Sequence, residues 1–255
     1  ISCSLVGSEM CIRDRNIMKQ NFIIRGLRGS VFMPQITFNW EFISAIQTML
    51  PNYIPSVISD TPQVIKGMLL SPGDWILSSP DDNIRIVFQA QKVDYIINTN
   101  IEYTQDIVST LANNCNQIFK RIMEITGMRA SRLAIAPTLE YKGDTTLFKN
   151  FVNKIYAKNT FKESKVDNCD FSQVFRVDEE INGKQFIVNY LSKFYVATPI
   201  VVVNGINTIQ EVNMVDFDIN TFVNPEYSFD TNATSDFFQK GAGFCSEFLL
   251  WYIGE

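Results

Sequence analysis

Residues 84–141, IRIVFQAQKVDYIINTNIEYTQDIVSTLANNCNQIFKRIMEITGMRASRLAIAPTLEY, decide the fold, because they read as strand, strand, long helix and strand in succession. Ile84, Ile86, Phe88 and Ala90 alternate with Arg85, Val87, Gln89 and Gln91, whereas the next apolar set is Val93, Tyr95 and Ile97. The two-residue repeat changes phase near Gln91-Lys92, and a strand exchanges its buried face only through a bulge or a turn. Thr99-Asn100-Ile101-Glu102 has the Ser/Thr-x-x-Glu spacing of a capping box, in which hydroxyl and carboxylate satisfy orphan amides reciprocally. Behind it, Ile107, Val108, Leu111, Cys115, Ile118, Phe119, Ile122 and Ile125 recur at three-to-four spacing and form one apolar stripe. Gly127 is placed to end that helix in the left-handed conformation, with Lys120 and Arg121 near the negative end of its dipole. At about 1.5 Å per residue the helix is roughly 40 Å long. Leu133, Ile135 and Leu139 then resume a strand, and Pro137 within it predicts an edge position or a bulge.

Working outward, the first fifteen residues stand apart. Residues 4–15, SLVGSEMCIRDR, resemble the translation of a sequencing adapter, so residues 1–15 are expected to be a processing scar outside the fold. The native start is then either lost or Met18. The scar holds Arg13 and Arg15 against Glu9 and Asp14, so the net charge of -5 does not depend on it. Residues 16–255 are long enough for one α+β domain, with 158–170 as a possible subdivision.

The acidic balance argues against a general nucleic-acid binder, which needs clustered Lys and Arg to neutralise phosphates. The chain contains no histidine. That excludes histidine-dependent hydrolysis, His-zinc sites and two-His-one-carboxylate iron sites. Beyond the scar, Cys115, Cys169 and Cys245 are odd in number and widely spaced, which is neither a disulfide framework nor a zinc site. Cys115 and Cys245 fall on apolar helix stripes and read as core. No apolar run reaches the length of a membrane span, and residues 18–25 lack a long apolar signal core. These features together point to a reduced, cytoplasmic setting. The wealth of Asn, Ile, Lys, Phe and Tyr matches AT-rich codons, as in a low-GC bacterium or its phage.

In the N-terminal part, residues 31–38 are expected to form a first strand, and Asn39 to cap a helix carrying Trp40, Ile43, Ile46, Met49 and Leu50. Residues 64–70 read as a strand, and Trp75-Ile76-Leu77 pairs with Ile84 to Phe88 across the loop Ser79-Pro80-Asp81-Asp82-Asn83. Past the central helix, Asp144 or Thr145 begins another, with Leu147, Phe148, Phe151, Val152 and Ile155 on one face. Asn182-Gly183 and Asn204-Gly205 are the dipeptides that suit type I′ hairpins. Centring a two-residue turn on the first sets Val177 opposite Val188 and Phe175 opposite Tyr190. The second sets Lys193 opposite Asp216 and Phe194 opposite Val215, with Pro199 at a bulge or edge. A terminal helix follows, carrying Phe237, Phe238, Phe244, Cys245, Phe248, Leu249, Trp251 and Tyr252, and closed by Gly254. The whole pattern predicts an α+β fold: mainly antiparallel sheet built from hairpins, with long amphipathic helices packed on one face.

Three places carry candidate chemistry. On the strand Glu211 to Asn220, Asp216, Asp218 and Asn220 alternate with Val215, Phe217 and Ile219. Two carboxylates at i and i+2 stand about 7 Å apart and could share Mg²⁺ or Mn²⁺, as in a metal-dependent phosphoester hydrolase. The plainer reading is a solvated strand face with Lys193 opposite. Lys149, Lys154, Lys158, Lys162 and Lys165 interleave with Phe148, Phe151, Tyr156 and Phe161 as a single-stranded nucleic-acid surface does, but the aromatics follow helical spacing and Glu163 and Asp167 dilute the charge. Trp251, Tyr252 and Phe248 close the terminal helix and could contact another subunit, since aromatics are enriched at interfaces.

Trp75-Ile76-Leu77-Ser78-Ser79, the segment Phe88 to Asn98 leading into the long helix, and Val215-Asp216-Phe217-Asp218 ahead of a terminal helix resemble a sporadically distributed bacterial family of uncharacterised function. The chain has Thr99 where that family carries an aromatic. The resemblance implies no activity, cofactor or catalytic residue. The sequence reading is thus a non-catalytic cytoplasmic interaction or regulatory protein that needs no cofactor, acting on a protein partner or on itself through a sheet face or the terminal helix. Its alternative is the divalent-metal phosphoester hydrolase using Asp216 and Asp218.

Overall fold

The computed structural model describes residues 21–37, 39–57, 63–65, 68–71, 73–146, 148, 170–203 and 206–253. In chain order the elements are β1 (Phe22–Phe32), α1 (Trp40–Met49), β2 (Ile54–Val57), β3 (Gln63–Ile65), β4 (Met68–Leu70), β5 (Trp75–Ser78), β6 (Ile84–Gln89) and β7 (Lys92–Glu102). There follow α2 (Gln105–Thr126), β8 (Arg132–Tyr141), β9 (Asp170–Ile181), β10 (Lys184–Ala197), β11 (Ile200–Val203), β12 (Ile206–Ile209), β13 (Val212–Thr221) and α3 (Thr231–Ile253). Nine strands form one sheet in the order β2-β5-β6-β7-β1-β8-β13-β10-β9, every neighbouring pair antiparallel. Strands from both sides of 158–170 share it. With its helices, the molecule is α+β.

The phase change after Gln89 is a tight turn at Ala90-Gln91, which sets Gln89 opposite Lys92 and leaves Phe88 and Val93 on one face. The expected capping box is not used. β7 continues to Glu102, and Thr104 caps α2 by accepting the Ile107 amide at 3.2 Å. Ile101 and Glu102 pair with Ile24 and Ile23 of β1, with Thr99 and Asn100 at the shift in that ladder, and ladder hydrogen bonds outweigh a local cap. Gly127 ends α2 at φ 64, in the left-handed region. The first strand likewise starts earlier than 31–38 suggests: β1 runs from Phe22 because both β7 and β8 pair along its length. In place of one strand over 64–70, Gln63 to Ile65 and Met68 to Leu70 pair antiparallel as β3 and β4.

Pro137 occupies neither an edge nor a bulge of its own strand. β8 is central, flanked by β1 and β13, and Pro137 lies opposite Leu27. On the other side, β13 pairs with β8 at Asp216↔Thr138 and again at Ile219↔Ile135 in the same register, and the ladder lapses between them. A proline without an amide hydrogen is tolerated at such a lapse. At the β9–β10 turn, Val177 stands opposite Val188 and Phe175 opposite Tyr190, and Asn182 takes φ 49. β10 meets β13 with Lys193 opposite Asp216 and Phe194 opposite Val215, while Pro199 falls in the break between β10 and β11. Residues 1–15, the Asn204-Gly205 turn, Gly254 and the Lys149 to Lys165 run lie outside the described residues, as does most of the helix expected after Asp144.

Contacts name the packing partners of each helix. Phe42 of α1 meets Trp75 and Phe88 edge to face. A Cβ at Gly29 of β1 would sit 3.0 Å from Cys115 Sγ and 3.1 Å from the Phe119 ring, so the missing side chain sets how near α2 approaches. A Cβ at Gly241 of α3 would sit 3.1 Å from Ile135 of β8. α2 and α3 meet through Phe119 and Phe238 at 5.3 Å, and Phe248 of α3 packs on Phe217 and Tyr190. Among the described residues, no helix is long and apolar enough to cross a membrane.

Overpacking a filled core costs about 1–3 kcal/mol, and touching residues couple. Gly29→Val should therefore lower unfolding stability by that order in urea titrations. Combined with Cys115→Ala, its cost should be smaller than the sum of the two single changes.

Candidate functional site

Strand alternation distributes the polar residues of β13. Val215, Phe217 and Ile219 are buried in the core, and Phe217 meets Phe248 of α3, so Asp216, Asp218 and Asn220 point to the opposite face. On that face a groove of about 580 Å³ runs over β7, β1, β8, β13 and β10. Arg25, Arg28 and Lys193 line it together with Asp216 and Asp218, and Ala136 and Thr138 form part of its floor. It lies over the lapse in the β8–β13 ladder, where Ala136 of β8 and Gly26 of β1 contribute little side-chain bulk.

The structure brings the three sequence-selected acceptors together but gives them other partners. Asp218 Oδ1 accepts from Asn220 Nδ2 at 2.9 Å, and Arg28 Nη2 lies 3.9 Å from Asp218 Oδ2. Asn220 is buried, and its oxygen accepts from Arg132 Nη2 at 2.8 Å and Asn189 Nδ2 at 3.0 Å. Its oxygen, one of the three acceptors selected from the sequence, thus already serves two donors. Asp216 stands opposite Lys193, and its buried Oδ1 receives no hydrogen bond. Among the described residues, no group of three or more Cys, Asp or Glu is placed to hold a metal ion.

Sequence reasoning placed Lys193 but missed the two arginines of the groove. Arg25 and Arg28 lie on β1, which pattern alone did not extend that far, and the β1 bulge between Ile24 and Gly26 re-aims the chain at Arg25. Arg25 Nη1 donates to Asn100 Oδ1 at 2.7 Å, and Arg25 and Lys142 both pair with the buried carboxylate of Glu140. Burial pulls the Glu140 carboxyl upward, but the hydrogen bonds from Lys142 and Arg25 outweigh it and hold it below the ordinary carboxylate range. Farther along the face, buried Asp94 accepts from Ser30 Oγ at 2.5 Å and pairs with Lys92 Nζ at 2.7 Å. Cys115 and Cys245 are free and fully buried, and burial pushes both thiols up, away from reactivity.

The aromatic trio at the end of α3 divides. Phe248 is core, packed on Phe175, Tyr190 and Phe217. Trp251 is 57% exposed and meets the Phe175 ring edge to face at 5.0 Å. The side chain of Tyr252 lies outside the described residues. No protein-family model matches the chain, and a search of curated proteins finds no match either.

Phe248→Ala should cost about 3–5 kcal/mol in denaturant unfolding, as buried aromatic truncations do, and Trp251→Ala under about 1 kcal/mol. Glu140 titrates lower in the folded chain than in the unfolded one, so its contribution is present above the unfolded pKa, near 4.3, and is lost as pH falls through the folded value. Glu140→Gln should flatten the acid limb of a stability-versus-pH curve, measured by urea unfolding.

Proposed function

We propose that the chain is a non-catalytic, cytoplasmic binding protein that seats a segment of a partner protein on the sheet face turned away from its helices. The observation that carries this reading is the groove itself, in which Lys193 stands opposite Asp216 on the neighbouring strand and Arg28 reaches toward Asp218 over the intervening β8. Alternating opposite charges in a concave strip fit an extended polypeptide with charges of both signs. They fit a uniformly anionic ligand such as nucleic acid poorly, because the two carboxylates repel phosphate. Paired charges also keep the face preorganised without a bound ion. The buried, unreactive thiols agree with a reducing compartment.

The divalent-metal phosphoester hydrolase remains as a second reading for one reason: Asp216 Oδ1 lacks a donor. Against it stand the guanidinium beside Asp218 and the Lys193 position opposite Asp216, both of which compete with a cation.

Selection of random peptides on the immobilised chain should enrich segments carrying both acidic and basic residues. The R28E/K193E chain should retain those segments at least about tenfold less well, a loss of about 1.4 kcal/mol in binding. Equal retention by both chains removes the groove from the function. Calorimetric titration with Mn²⁺ should give no binding heat. Heat that disappears in Asp216→Asn, accompanied by turnover of a phosphodiester, replaces the binding reading with the hydrolase.

A further inference from the structure

β9 is the last strand of the sheet, and among the described residues its strand partner is β10 alone. The hydrogen bonds of Ile187 establish which of its backbone groups face outward. Ile187 accepts from the Phe222 amide at 2.8 Å and donates to the Tyr227 hydroxyl at 3.0 Å, so its peptide groups point away from β9. Its neighbour Val188 therefore points toward β9, where it stands opposite Val177. In an antiparallel ladder the direction alternates residue by residue. Ser172, Val174, Arg176, Asp178 and Glu180 consequently turn their amides and carbonyls outward. Lys240 confirms the parity independently, for its Nζ donates to the Glu180 carbonyl at 2.7 Å. The edge is thus capped at the turn end, by a lysine that also pairs with Asp236 at 2.9 Å.

Among the described residues no other element covers the rest of the edge, and its charges are of both signs, Arg176 against Asp178, Glu179 and Glu180. Edge strands are blunted by shortness, proline, lysine or a cover. β9 is twelve residues long and contains neither Pro nor Lys. Val174 and Val177 on it are exposed, and so is Trp251 beside Phe175.

We propose that β9 pairs edge to edge, antiparallel, with β9 of a second copy of this chain, about a twofold axis at Val177. Outward-facing residues must meet outward-facing residues, which limits the axis to a residue position, and charge then selects among positions. An axis at Arg176 sets Arg opposite Arg, and one at Asp178 sets Asp opposite Asp. Axes at Val174 and Phe175 bring Asp170 opposite Asp178 and Glu180. The axis at Val177 sets Arg176 opposite Asp178 of the second copy, twice by symmetry, and no like charges meet. Val177 then faces its own copy, and Trp251 lies on the rim of the seam. This inference is independent of the groove on the open face.

Light scattering after size exclusion should give wild type the mass of two chains. D178R, which sets like charges across the axis, should run as one chain, and R176D/D178R, which restores opposite charges in exchanged positions, should run as two again. Under mild oxidation V177C should form a disulfide-linked dimer above the wild-type background. Directly opposed Cα atoms of that kind are about 4.5 Å apart, within the range of about 7 Å that a disulfide spans. V174C should not cross-link, since its two copies are then displaced by roughly 20 Å along the strands. A single-chain mass for wild type from micromolar to millimolar concentration overturns the proposal. So does a D178R that stays dimeric, or a V174C that cross-links as well as V177C.

Discussion

The close approach of α2 to β1 at Gly29 is the constraint on which the remaining architecture depends. With no side chain at that position, Cys115 and Phe119 lie against the sheet backbone, and Phe119 reaches on to Phe238 of α3. α3 settles by the same device at Gly241, against Ile135 of the adjacent strand β8. Once both helices are seated, the residues of β1, β8 and β13 that face them are buried without exception of charge: Leu27, Val31, Leu133, Ile135, Val215, Phe217 and Ile219 are all core. A helix held a few tenths of an ångström farther out would lose dispersion contacts along this entire seam.

The period of two then dictates the other face. Alternate residues of β7, β1 and β13 turn away from the apolar side, so Arg28, Ser30, Asp94, Asp216, Asp218 and Asn220 share the opposite face. Their proximity is managed by pairing. Ser30 and Lys92 hold Asp94, Arg25 and Lys142 hold Glu140, and Asn220 links Asp218 to Arg132 and Asn189. Opposite charges at neighbouring strand positions satisfy one another and leave a concave, electrically mixed surface in place of an acidic cluster. The aspartates selected from the sequence thus stand beside cations and amides contributed by other strands.

Much of the fold was legible because its signals are local. The apolar stripe of α2, its end at Gly127, the Asn39 cap that accepts the Phe42 amide at 2.8 Å, and the Asn182-Gly183 turn each involve residues within a few positions of one another. The face shared by Asp216 and Asp218 was legible for the same reason. The errors share one cause, a partner distant in sequence. Thr99 to Glu102 match a capping box but lie in β7, where Ile101 and Glu102 pair with β1 residues more than seventy positions earlier, and Pro137 sits centrally because the ladder beside it lapses. Arg25 and Arg28 were invisible as site residues because nothing near them in sequence reports that β13 lies across the face from them. Their contribution depends on β8 separating the two strands.

By itself, then, the amino-acid sequence determined the long central and terminal helices, the phase of β6, β7, β9, β10 and β13, and the exclusion of histidine chemistry, since periodicity and residue inventory are properties of short windows and of composition. Only the tertiary structure decided the order of strands across the whole sheet, that arginines of β1 stand beside the acids of β13, and that among the described residues β9 is left at an edge. Strand order is chosen by the fit of whole faces against α2 and α3. That energy is summed over residues more than a hundred positions apart, and no window of sequence contains it.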